Sequence, residues 1–215
     1  MSRRFAADRR HDPYYRAAQR EGLRSRAAFK LAHLDTRFHL LHRGARVLDL
    51  GAAPGGWSLV ARERVGPKGR VVAVDPRFVE PIEGVEYVRS RVGDPRLPGR
   101  LGPGSFDVVL SDMSPSISGA YATDHARSVG LARDALALAG EALAPGGSFV
   151  AKVFDGDLLD ALQAEVARSF SQVRRTKPPA SREGSSETYI IARGFLGKPS
   201  AEPGSPPATR PSPAI

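Results

Sequence analysis

The sequence predicts an α/β domain, a mostly parallel sheet with helices on both faces. Three observations carry this prediction. Short apolar runs at residues 47–50, 70–75, 106–111 and 148–154 are rich in valine and nearly continuous, as strands buried on both faces are. Longer segments of helical pattern separate them, which is the alternation that builds parallel sheets. Three of the runs carry an acid at or just beyond their carboxyl end, Asp49, Asp75 and Asp112, and in doubly wound sheets ligands bind at the carboxyl ends of strands.

Residues 1–24 carry Arg3, Arg4, Arg9, Arg10, Arg16, Arg20 and Arg24 around Tyr14 and Tyr15. Cations interleaved with rings suit RNA, whose phosphates take the charge and whose unpaired bases stack. A frayed, solvated terminus is the alternative. A helix is expected from Ser25, which can cap it, with Phe29, Leu34, Phe38 and Leu41 on one apolar face and Lys30 beside that face.

Residues 47–58 read as strand, tight turn and helix opening, and Gly51, Gly55 and Gly56 give the turn its freedom. With the unpaired N–H groups of the helix's first turn, this makes a nucleotide-sized pocket. Glycines in such a turn also serve close packing. The spacing matches neither the dinucleotide fingerprint nor the P-loop.

The strand at 70–75 ends in Asp75, placed to meet ribose hydroxyls or to cap its loop. A short third strand is expected at 85–88 and a fourth at 106–112. A helix over 124–143 is stopped by Pro145, Gly146 and Gly147, before a fifth strand at 148–154 and a helix over 158–169. Two β-prone runs, 172–175 and 188–192, flank a polar loop and are expected to pair as a hairpin. Beyond Gly197 the chain is Pro, Ser, Ala and Gly with few large apolar residues, the composition of a disordered tail. The expected organisation is a basic segment at 1–24, one domain at 25–196 and a tail at 197–215.

A formal charge of +9 over 215 residues points to a polyanionic partner, because Arg and Lys gain by displacing counterions from phosphates. A membrane surface ranks below nucleic acid, as no long apolar run or lipid-facing amphipathic helix is present. The absence of cysteine excludes disulfides, thiolate metal sites and cysteine nucleophiles. His11, His33, His39, His42 and His125 show no ligand spacing with acids, so no metal is expected. No apolar stretch follows the Met-Ser-Arg-Arg start, so a secretory signal is not expected and a cytoplasmic location is.

Lys152 interrupts a run that should be buried on both faces, where an unpaired ammonium costs several kcal/mol. Either it snorkels to water from the strand end, or it meets a carboxylate, and Asp112 on the neighbouring strand is the candidate.

With these residues in place, the order of motifs resembles one family. Tyr14-Tyr15, the run Gly22 to Leu31, Asp49-Leu50-Gly51-Ala52-Ala53-Pro54-Gly55-Gly56-Trp57, Ser111-Asp112-Met113-Ser114-Pro115, the run Leu143 to Phe149 and Lys152-Val153-Phe154 resemble the RrmJ/FtsJ (RlmE) ribose 2′-O-methyltransferases acting on RNA. The similarity extends from about residue 12 to 192.

The resemblance implies a Rossmann-like methyltransferase fold of seven strands, one antiparallel, binding S-adenosylmethionine. It implies a catalytic set of Lys30, Asp112, Lys152 and Glu187, with Lys152 orienting the hydroxyl and helping to remove its proton. Gly55, Trp57, Asp75 and Asp112 are the cofactor-binding positions it implies, and Gly51 and Gly56 of the same turn are expected to bind the cofactor with them. The substrate it implies is a uridine of 23S (large-subunit) ribosomal RNA, free or in the subunit, and the chain is expected to act as a monomer. Transfer RNA as substrate, or a non-catalytic RNA-binding assembly factor of the same fold, are the other readings. One departure stands out: where the family has Gly-Asp after the third strand, with the acid meeting the adenine, this chain has Ser90-Arg91, and Asp94 lies three residues on.

Overall fold

The structure, a computed structural model, describes residues 16, 17, 20, 24–181 and 184–197. Tyr14, Tyr15, most of the basic segment and the tail from 198 onward lie outside the described residues. From Ala27 the chain runs α1 (Ala27–Phe38), β1 (Arg46–Leu50), α2 (Gly56–Val65), β2 (Arg70–Asp75), β3 (Val85–Arg89) and α3 (Leu97–Leu101). It continues through β4 (Phe106–Ser111), α4 (Tyr121–Ala142), β5 (Leu143–Phe154), α5 (Leu159–Ala167), β6 (Phe170–Thr176) and β7 (Glu187–Phe195).

The seven strands form one sheet in the order β3-β2-β1-β4-β5-β7-β6. All neighbours pair in parallel except β7, which runs antiparallel to both β5 and β6. The expected fold, seven strands with one antiparallel, is therefore what forms, and the 172–175 and 188–192 runs do pair antiparallel. Neighbouring valines in the central strands serve opposite faces, because strand side chains alternate. Val47, Val71 and Val108 pack under α1 and α2, whereas Leu48, Val72 and Val109 pack under α3, α4 and α5.

Several boundaries differ from the sequence reading. The buried stripe of α1 is Ala28, Leu31 and Leu34, and Phe29 and Phe38 are only half-buried. Ser25 makes no side-chain cap; its hydroxyl is buried without a partner, against Gly56. Helix α4 starts three residues early, at Tyr121, and Asp124 in its first turn ties the preceding loop by accepting the N–H groups of Ser118 (2.9 Å) and Gly119 (3.1 Å). Strand β5 starts at Leu143, opposite Phe106; residues 144–147 form an irregularity, and pairing resumes at Ser148 opposite Val108.

Candidate active site

The loops after β1, β2, β3 and β4 open onto one cavity of about 1360 Å³ at the carboxyl ends of the strands, closed on one side by α4. Gly51, Gly56, Trp57, Asp75 and Asp112 all line it. Gly55 does not border it; it stands at the N-cap of α2 with φ 106°. The turn glycines are also demanded by packing. A Cβ on Gly51 (φ 74°) would lie 2.5 Å from Met113 Cγ, so that position presses directly on the segment following Asp112.

Asp49, at the floor, accepts a 2.5 Å hydrogen bond from Ser58 at Oδ2, and its Oδ1 is buried with no partner. Burial pushes its carboxyl up to about 7, opposed by the Ser58 bond and aided by Asp112 and Asp75 nearby. Asp75 is bonded on both oxygens. Oδ1 accepts from Arg77 N (2.8 Å) and Nε (3.0 Å), and Oδ2 accepts from Ala53 N (3.0 Å) and Arg77 Nη2 (3.0 Å). Burial acts against these bonds, but they prevail and hold the carboxyl below its usual range. Arg89, Arg91 and Arg96 line the same end of the cavity. Asp94 also lines it, but its Oδ1 is taken by Arg96 through N (3.0 Å) and Nε (3.3 Å).

Beside this cavity the four expected catalytic residues converge. Strand pairing sets Lys152 on β5 opposite Tyr189 on β7, and Phe154 opposite Glu187, so Lys152, Glu187 and Tyr189 share one face. Lys152 Nζ donates to the Asp112 carbonyl (2.8 Å), lies 3.2 Å from Asp112 Oδ1 and 4.0 Å from Glu187 Oε1. The other oxygen of Glu187 takes Lys30 at 2.5 Å, so one carboxylate bridges two ammonium groups. Side-chain exposure is 6% for Lys152 and 8% for Lys30: neither snorkels, and Lys30 is not the surface residue its helix position implied. Two cations and two anions balance, which is what allows them to be buried. Burial tends to raise the Glu187 carboxyl, and Lys30, with Lys152 and Arg26, outweighs it and holds the group below its usual range.

Tyr189 is a member of this cluster that the sequence reading missed. Its hydroxyl donates to Asp112 Oδ1 at 2.8 Å, its ring stacks on Trp57 (centroids 5.8 Å apart), and Lys30 Nζ lies 5.9 Å from its centre. Burial, then Asp112 and Glu187, push its phenol well above the usual value, so it stays a donor. The available signal was the period of two, which places 187 and 189 together. Asp112 belongs to both cavity and cluster. Among the described residues no three His, Asp or Glu side chains converge as a metal site, and no helix is long and apolar enough to cross a membrane.

A family model described as FtsJ-like methyltransferase matches residues 23–195. The chain belongs to this family. Among curated relatives of this FtsJ-like methyltransferase, the ribosomal RNA large subunit methyltransferase E of Natronomonas pharaonis is 49% identical over 195 residues, covering 90% of this chain and 77% of the relative. The protein of the same name from Gluconobacter oxydans is 50% identical over 188 residues, covering 86% and 69%. Among solved structures, a protein assigned as a ribosomal RNA methyltransferase from Plasmodium falciparum matches with a TM-score of 0.73 at 27% identity, over 81% of this chain and 100% of that one. The 1,6-didemethyltoxoflavin-N1-methyltransferase of Burkholderia thailandensis, which holds S-adenosylhomocysteine, matches at 0.53 and 25% identity over 79% of each chain.

The cavity of this FtsJ-like methyltransferase fits S-adenosylmethionine in one specific respect: the orphaned Asp49 Oδ1 needs a donor, and the cofactor's amino-acid end carries an ammonium group.

Proposed function

We propose that the protein transfers the methyl group of S-adenosylmethionine to a ribose 2′-hydroxyl of RNA, a uridine of 23S ribosomal RNA, through a catalytic domain spanning 25–196. It would act as a cytoplasmic monomer on the large ribosomal subunit or its RNA. The observation carrying this reading is the Lys30–Glu187–Lys152–Asp112 cluster, two buried lysines held by two half-buried carboxylates, adjoining the cavity through Asp112. The assembly-factor alternative gives no reason to bury two lysines against paired carboxylates beside a cofactor-sized cavity.

When bound, the cofactor supplies a methyl group already activated by its sulfonium. What remains for the chain is to hold a weakly nucleophilic hydroxyl in line and to manage one proton. Alignment of this kind supplies ~7–11 kcal/mol, and acid–base assistance a factor of roughly 10²–10⁴, so positioning contributes more than proton transfer. Lys152 orients the ribose hydroxyl at Nζ and helps to remove its proton, with Asp112 Oδ1 at 3.2 Å as the adjacent acceptor. Glu187 and Lys30 fix the amine's position from the other side, and Tyr189 fixes the carboxylate of Asp112. Asp49, Trp57 and Asp75 form the cofactor side; a diol binding at Asp75 must displace the Arg77 side chain.

The test is to incubate the purified protein with methyl-labelled S-adenosylmethionine and, in parallel, unmodified large subunits, free ribosomal RNA and transfer RNA. Label in large-subunit RNA, resistant to alkaline cleavage at one ribose, is expected. Label confined to transfer RNA would overturn the ribosomal assignment.

A further inference from the structure

Asp112 and Lys152 stand at the ends of β4 and β5, and the segments that follow them, 113–120 and 155–158, are both tied to the first turns of α4. Tyr121 donates from its hydroxyl to the Asp155 carbonyl at 2.5 Å. His125, buried, lies 3.0 Å from the Phe154 carbonyl at Nδ1 and 3.1 Å from the Leu158 nitrogen at Nε2, so its ring ties the end of β5 to the start of α5. Asp124 holds Ser118, the residue after Ile117, through N (2.9 Å) and Oγ (2.8 Å).

On this fixed rim three large apolar side chains face water: Ile117 is 65% exposed, Tyr121 61% and Leu158 37%. The Tyr121 ring is not a free rotor. It lies nearly parallel to the His125 imidazole (13°, centroids 6.5 Å apart), and its hydroxyl is anchored, so it remains exposed in a set orientation. Neither the cluster nor the cavity uses it. Its anchor, Asp155, lies three residues beyond Lys152.

Resting on the RNA reading above, we propose that Tyr121, flanked by Ile117 and Leu158, is a stacking platform for an unpaired base of the substrate, at or next to the methylated nucleotide. An exposed ring held in a set orientation offers what an unstacked base needs. The chain's +9 charge, with Arg127 two turns along the same helix on the cavity wall, suits the phosphates of an RNA strand and argues against a purely apolar partner surface.

The probe is a short single-stranded oligoribonucleotide carrying one 2-aminopurine, scanned through every position, and the matched series with an abasic residue in its place. At low salt, one position should show quenching on binding, and the abasic analogue there should bind roughly tenfold more weakly. Tyr121→Phe should keep that preference and Tyr121→Ala abolish it, with S-adenosylhomocysteine affinity unchanged. In turnover, Tyr121→Ala should raise the KM for RNA about tenfold and leave kcat within about threefold. Wild-type protein that binds the abasic series as well as the base-bearing one overturns the platform while leaving RNA binding intact. Failure of both series to bind overturns the RNA reading, and the platform with it. Because the wild-type quenching scan needs no variant, the outcome does not depend on Tyr121→Ala folding.

Discussion

Removing the Lys152 amine leaves Asp112 and Glu187 in a buried site with one cation fewer and takes away the group that holds the hydroxyl. Lys152→Ala should therefore lower the methylation rate by at least ~10²-fold, with S-adenosylhomocysteine binding by calorimetry unchanged; undiminished turnover would remove it from the mechanism. Arg77 acts in the opposite sense. Its side chain is 69% exposed and an ion pair of that kind contributes ~0–1 kcal/mol, so Arg77→Ala should free Asp75 and tighten cofactor binding by up to roughly fivefold. Weaker binding would mean that Arg77 itself holds the cofactor. Asp49 yields a pH signature. Its folded pKa, about 7, lies above the unfolded value near 3.8, so the stability from its neutral form is complete below about pH 4 and lost as pH rises through about 7. Asp49→Asn should flatten the decline in cofactor-free stability over that window, measured by denaturation at stepped pH, and parallel curves would refute the assignment. At this scale Lys152 was legible, because a lysine inside a valine run demands a partner. Arg77 was not: nothing in Asp75-Pro76-Arg77 says that the arginine folds back on the acid two residues before it.

At the scale of elements, β7 does the most to complete the site, since one antiparallel strand presents both Glu187 and Tyr189 toward Lys152. Tyr189→Phe keeps the ring on Trp57 and removes the bond to Asp112. Hydrogen bonds to charged groups contribute about 1.5–3 kcal/mol, so kcat should fall roughly tenfold to a hundredfold with the sheet intact by circular dichroism; an unchanged kcat would make Tyr189 a packing residue only. Its role was invisible in the sequence because Tyr189, Ile190 and Ile191 read as one apolar strand, and a buried tyrosine looks the same whether or not its hydroxyl is used. Strand existence was legible from valine content, and boundaries were less so. Asp124 reads as a helix start, yet it lies inside the helix and bonds back to the loop at Ser118 and Gly119; Pro145-Gly146-Gly147 reads as a stop, yet it is an irregularity within β5.

For the whole molecule, the charge of +9 makes RNA affinity a function of salt. Binding should weaken linearly in a plot of log affinity against log salt with a slope steeper than about −2, which corresponds to roughly three phosphate contacts on a single strand; a flat plot would mean the arginines are merely solvated. The α/β class and the ligand end of the sheet were readable because alternation and acid-ended strands are properties of the whole pattern, whereas the basic segment at 1–24 lies mostly outside the described residues. The strand order has one more effect. Glu187 and Tyr189 reside on β7, which slots between β5 and β6 after both have been synthesised. A polypeptide ending at residue 186 would carry the residues of the cavity walls but lack the acid that joins the two lysines, so on the role proposed for Glu187 it should not methylate RNA.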